Sequence, residues 1–309
     1  MTAYIIRPRA PWLAPGPVFA AGRRAVSALY EGSPAFAAAG FALLALLVPF
    51  GLAGFVDERT VNDLNVWVKP SKFALALGVY LLTLALFARF TAPGTTERRW
   101  WRAMVATTLA AIGYEMAWIG GSSAAGIASH FNVGTPLMSA AYTAAGVSAV
   151  ILTSATVFVG MAVGRSRDAS SVHTLAPAMR SAIAWGLVLT FPLTVLTAGT
   201  LSSMQSHWIG GTPSDAGGLF LLGWSRDGGD LRVSHFFAVH AMQIVPMAAA
   251  VLLMARRWTG PAAAAAAGAT SGTLERAATG RLIAVLFALF TLATYAQALT
   301  GRPFLPAIG

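Results

Sequence analysis

Seven times along this chain a run of twenty or more residues passes with hardly a charge. A helix rises 1.5 Å per residue, so about 20 apolar residues cross the hydrocarbon core of a bilayer. The qualifying segments are about 35–56, 71–91, 101–124, 137–163, 180–204, 233–255 and 280–300. Each is expected to be helical, because a lone strand leaves its backbone groups unsatisfied in lipid. Only 10% of the residues are charged, against about 25% in soluble domains. The expected fold is therefore all-α: a polytopic integral membrane protein with seven transmembrane helices. Residues 1–309 read as one membrane domain, with a seven-helix bundle over 34–303 and a lipid bilayer as its first partner. Residues 18–30, "VFAAGRRAVSALY", are too short and too charged to span, and read as an interfacial amphipathic helix within a cytoplasmic segment 1–33. With Pro11, Pro15, Pro17 and four arginines, that segment does not read as a signal peptide.

The net charge of +10 is spread in short clusters between the apolar runs, which is an orientation signal and not a nucleic-acid surface. With the N-terminus inside, 15 of the 21 Lys and Arg fall on inner segments and 6 on outer ones. The expectation is N-in, C-out, in the cytoplasmic (inner) membrane of a bacterium. Trp100 and Trp101 beside Arg98, Arg99 and Arg102 read as an inner aromatic anchor. Inside, 260–272 reads as low-complexity linker and 164–180 as a basic connector whose His173 is merely solvated.

Outer loops are richer. Residues 57–70 pack charges and amides against a tryptophan. Residues 121–136 hold His130 and Asn132. Residues 205–232 carry seven glycines, and "GLFLLGW" within them reads as a packed lid or re-entrant piece. Four of the five histidines, His130, His207, His235 and His240, fall on this side. Neutral imidazole is a common metal ligand and a proton carrier, and ionisable groups inside a membrane are costly and mark function. His235 and His240 are five residues apart, roughly 7.5 Å along a helix and about 140° around it. They cannot chelate one ion together, so His240 is the candidate cofactor ligand, and His235 is expected to cap or to meet His207.

Further polar residues join them. Glu115 in span three is a candidate catalytic proton acceptor or metal ligand, or else a salt-bridge partner of Lys69, Lys72 or an Arg. Gln243 lies one turn below His240, and Tyr295 and Gln297 sit in outer span seven. Lys69 and Lys72, the only lysines, share a face at the start of span two. They read as anchors paired with Asp57, Glu58 or Asp63, or as an anion clamp. Pro192 and Pro246 are expected to kink their spans. Met116, Met138, Met204 and Met242 fall in outer halves of spans. Thioether with imidazole suits copper, although Met is also ordinary core filler.

No cysteine is present, which excludes disulfides and thiolate metal sites. No P-loop, dinucleotide fingerprint or nucleophile elbow occurs, span seven has no lysine for a retinal Schiff base, and the histidine spacings are not those of membrane di-iron desaturases.

The strings "SHFNVGTP", "HWIGG" and "GWSRDGGDLRVSHFFAVHAMQ" resemble those of a group of bacterial polytopic membrane proteins to which no activity is attached. The resemblance covers much of 65–250 and implies a membrane fold alone. From the residues, the leading expectation is a redox protein, an oxidoreductase if an enzyme. It would hold haem b, or copper, at the outer face, with His240 as one axial ligand, His130 or His207 as the other, and the lysines on propionates. The alternatives are a proton-coupled transporter or receptor for a small polar or anionic ligand, and a structural subunit with partner proteins on its outer layer.

Overall fold

The computed structural model describes residues 17–61, 63–166, 175–214, 217–220, 222–266 and 276–306; His173 lies outside them. Among the described residues, seven stretches are long and apolar enough to cross a membrane: Pro34–Val56, Val68–Ala88, Arg99–Ala125, Pro136–Arg165, Pro177–Met204, Leu231–Ala255 and Ala277–Leu299. The protein is an all-α, multi-pass membrane bundle.

Helix α1 (Pro17–Gly32) precedes the first span. It is tied to the bundle by Tyr30 stacked on Phe41 and by Glu31, 3.3 Å from the Arg89 guanidinium. Span one is two helices, α2 (Pro34–Ala45) and α3 (Leu47–Val56), joined at Leu46. Pro49 explains the break, since it has no N–H to give the Ala45 carbonyl. The remaining spans are α4 (Val68–Ala88), α5 (Arg99–Ala125), α6 (Pro136–Arg165), α7 (Pro177–Met204), α8 (Leu231–Ala266) and α9 (Ala277–Leu299). Helices α2, α6 and α7 open on proline, where the missing N–H costs nothing. Thr135 caps α6 by accepting the Met138 N–H at 3.2 Å, and Gly126 ends α5 at φ 70°.

Helix α7 packs against α6, α8 and α9. Glycines allow the approach. A Cβ on Gly280 of α9 would stand 2.3 Å from the Ala178 carbonyl oxygen, and one on Gly186 of α7 would stand 2.9 Å from that of Ala241. Without water to drive helices together, such close backbone contact is what associates them in lipid. Val159, Leu187 and Met242 bury fully where α6, α7 and α8 meet, and Phe36, Leu81 and Leu84 do so between α2 and α4. Leu52, Phe55 and Val251 are among the large apolar residues left exposed on the outside of the bundle, as contact with lipid requires. Pro192 and Pro246 lie within unbroken helix, and Pro246 packs beside Gly186.

Loops 57–67, 126–135 and 205–230 gather with the tail 300–306 at one end. Arg59 Nη2 donates to the Ala124 carbonyl (3.1 Å), Ser214 Oγ to Asp63 (3.2 Å), and Arg226 Nη2 to the Pro306 carbonyl (3.4 Å). Two-stranded pairs stiffen this end: β1 (Thr60–Val61) with β2 (Leu64–Asn65), and β3 (Trp208–Ile209) with β4 (Gly229–Asp230).

Two local expectations change. Part of the expected linker is helix, because α8 runs on to Ala266; alanine is the strongest helix former. In the "GLFLLGW" stretch the chain turns back, with Gly223 N–H on the Leu219 carbonyl (2.7 Å). Trp224 is buried against Phe236, Phe237 and Phe304, while Phe220 is 91% exposed.

Candidate functional site

The expected site residues fall into separate groups. The first lies between α4, α5 and the loop 126–135. Trp118 Nε1 donates to the Ser129 carbonyl (2.8 Å) and Asn132 Nδ2 to the Ala128 carbonyl (3.0 Å), which folds the loop inward. His130 is thereby held between Phe73 of α4 and Tyr142 of α6, with ring centroids 5.8 and 5.7 Å away. Its Nδ1 is 3.2 Å from Ser129 Oγ. Burial, and then the nearby Lys69 ammonium, push its pKa down to about 3, so the imidazole is neutral. Lys69 also acts electrostatically on Glu115. Glu115 is 3% exposed, and its Oε2 is buried without a hydrogen-bond partner among the described residues. A cation, a carboxyl group and a neutral imidazole, from three chain segments, thus share one neighbourhood.

Lys72 is the more exposed of the two lysines. Three helical positions are about 60° from coincidence, and Lys72 faces outward while Lys69 is half-buried. Asp57 is taken by Arg59 (2.7 and 2.9 Å) and by Trp67 Nε1 (2.8 Å), and Asp63 by Ser214. Asp57 and Asp63 thus have partners within the loops themselves.

The second group is on α8. His240 Nδ1 is 2.7 Å from the Phe236 carbonyl, and its ring stacks on that of Phe236 at 4.1 Å. A carbonyl can only accept, so Nδ1 carries a proton, and in the neutral ring the lone pair is then on Nε2. His235 Nδ1 is 3.0 Å from Thr197 Oγ1. That hydroxyl also stands 2.9 Å from the Leu193 carbonyl, so its one proton has more than one acceptor in reach. His235 is thus partnered by α7, not by His207. Gln243 Nε2 donates to Thr83 Oγ1 of α4 (3.2 Å), while its buried Oε1 has no hydrogen-bond partner among the described residues.

His207 belongs to a third group. Its ring packs 3.8 Å from that of Trp208, and its carbonyl accepts the Leu231 N–H (2.9 Å). Beside it, Asp230 accepts from Arg232 Nε (3.0 Å), Arg232 Nη2 (2.7 Å), the Arg232 N–H (2.9 Å) and the Ser225 N–H (2.9 Å). Arg232 also reaches the Gly223 carbonyl (2.7 Å) and lies over Trp208. Asp227 accepts from the Thr212 hydroxyl and N–H and from Ser225 Oγ, which hold its carboxyl below its ordinary range. These acidic residues organise the long loop and were missed as such in the sequence. The signal was Asp230 directly before a helix start.

Tyr295 and Gln297 bond to Thr200 and to the Pro303 carbonyl. Met116 and Met242 lie in the apolar core, and Met204 is exposed. Among the described residues, no three His, Asp or Glu side chains come together as a metal site.

Comparison of the chain with protein-family models, with curated proteins and with solved structures gives no match.

Proposed function

We propose that the protein is a transporter or receptor of a bacterial inner membrane, N-terminus inside. It would bind a small polar or anionic ligand in the outer half of the bundle, between Lys69, Glu115 and His130. The observation that carries this reading is the buried Glu115 Oε2, which has no hydrogen-bond partner among the described residues and lies in the electrostatic reach of Lys69. Buried polar groups are normally satisfied, and each exception calls for an explanation. Lys69 supplies the counter-charge for an anion, His130 a neutral hydrogen-bonding edge, and Glu115 the position that exchanges a proton as the anion arrives.

The test is reconstitution into liposomes that enclose a pH-sensitive dye, with inorganic phosphate, succinate and glutamate offered under an inward proton gradient. A transporter acidifies the lumen with one of these anions, and Glu115→Gln and Lys69→Met abolish the response. A receptor gives instead a rise in melting temperature with that anion, lost in Lys69→Met. The reading fails if no probe moves protons or raises the melting temperature.

A second reading, a redox protein holding haem b, is favoured by one observation. His240 has its Nδ1 proton fixed on a backbone carbonyl, the arrangement that presents Nε2 to a metal. Oxidised and dithionite-reduced optical spectra of the purified protein test it. A Soret band lost in His240→Ala supports haem, and a featureless spectrum of protein from haem-replete cells removes it. Metal analysis of the same sample covers copper.

A further inference from the structure

The opposite end of the bundle, rich in arginine, carries a built cavity that the reading above does not use. It is an open pocket of about 460 Å³ between the α4–α5 connection and the last turns of α6. Arg98, Arg165 and Ser166 line it together with Trp100, Phe158 and Met161. Neither arginine has an ion-pair partner among the described residues. Ser166 is 3% exposed, and its Oγ has no hydrogen-bond partner among the described residues. Arg98 is also the N-cap residue of α5, a helix of 27 residues with no side-chain cap, so orphan backbone N–H groups and the positive helix end add to the same spot.

We infer that this cavity binds the phosphate headgroup of an anionic phospholipid. Two guanidiniums provide charge and forked donors for phosphate oxygens, and the Ser166 hydroxyl supplies one more donor. The net double positive charge disfavours a zwitterionic headgroup, whose ammonium would meet the arginines. The apolar wall selects lipid over a soluble anion. Trp100 and Phe158, with ring centroids 6.3 Å apart, are 40% and 43% exposed, and they offer the start of an acyl chain a surface facing the bilayer. Tryptophan at such a level is an ordinary anchor at the membrane–water boundary, and basic pockets between spans are a recurrent form of lipid recognition.

The experiment is native mass spectrometry of the full-length protein in detergent, titrated with dioleoyl phosphatidylglycerol or dioleoyl phosphatidylcholine. Phosphatidylglycerol should be retained preferentially. Each arginine removed should weaken it about fivefold, and Arg98→Gln/Arg165→Gln about thirtyfold, from the usual worth of one basic side chain at an anionic surface. Ser166→Ala should weaken it less, and Arg276→Gln, at the same end but outside the cavity, should leave it unchanged. Melting temperatures without added lipid establish that each variant is folded. Equal retention of the two lipids, or an equal loss in Arg276→Gln, would overturn the inference. Inorganic phosphate that displaces phosphatidylglycerol at low millimolar concentration, and stabilises the protein equally by itself, would assign the site to free phosphate and overturn it as well.

Discussion

Asp230 and Glu115 are both buried carboxylic acids, 1% and 3% exposed, and their surroundings are opposite. Asp230 sits at the mouth of α8 with both oxygens occupied by Arg232 and by loop N–H groups. Glu115 sits within α5 with one oxygen that has no hydrogen-bond partner among the described residues and its cation, Lys69, acting through space. A buried charge with every lone pair engaged holds a structure in one arrangement. A buried carboxyl with spare capacity is a cost to the fold, and its retention points to a task.

The largest expected effect tests the first half of that contrast. Asp230→Ala removes the carboxylate that Arg232 engages and uncaps α8, and should cost about 3 kcal/mol, read as a fall in melting temperature in detergent. A loss no larger than that of an ordinary surface substitution would mean that the loop is held by its apolar contacts alone.

His130 should set the acid side of the stability profile. Burial keeps it neutral in the fold, with a pKa of about 3, whereas the unfolded chain takes up a proton below about 6.5. The unfolded state therefore binds more protons in that window, and stability must fall as the pH drops from about 6.5 toward 3. The slope from this one group is at most about 1.4 kcal/mol per pH unit. His130→Asn should flatten the profile between pH 6 and 4, and an unchanged slope would contradict the burial of this ring.

Glu115→Gln should do little to stability, within about 1 kcal/mol of the parent, while it removes ligand-coupled proton movement. A loss as large as that of Asp230→Ala would recast Glu115 as a structural ion pair with Lys69.

Asp57 supplies the smallest change. Its carboxyl is held well below the ordinary range by hydrogen bonds from Arg59 and Trp67. A carboxylate depressed in this way contributes stability above its unfolded value of about 3.9, which is lost as the pH falls toward the folded value. In hydrogen exchange, Asp57→Asn should raise the opening rate of residues 57–67 at neutral pH and remove the acid sensitivity of that loop. Identical rates in both proteins would show that the loop is closed by β1 and β2 alone.

Much of the fold was legible because lipid imposes one rule on every span: stay apolar for about twenty residues and satisfy the backbone internally. The break at Leu46 was legible too, through Pro49, but an apolar run with a proline near its middle reads as a single span when only hydropathy is followed. Glu115 stood out as a charge inside such a run. The grouping of the histidines did not. Helical periodicity separates His235 from His240 by rotation, but it does not say that α7 will offer Thr197 to the one, or that a folded loop will carry His130 to Lys69 across two other segments. Asp230 was overlooked for a related reason. Its partners, Ser225 and Arg232, are close in sequence, and only the returning turn at Gly223 shows that they close on one carboxylate.

The central position of α7 has a consequence for how the chain is made. Its glycine-mediated partners are α6, which precedes it, and α8 and α9, which follow it. During synthesis the four earlier spans reach the membrane before the helix that fills the seam beside α6. They must wait with that face against lipid, or against a membrane chaperone, until the fifth span is released. The order of translation, and not only the final packing, then decides when Thr197 can meet His235.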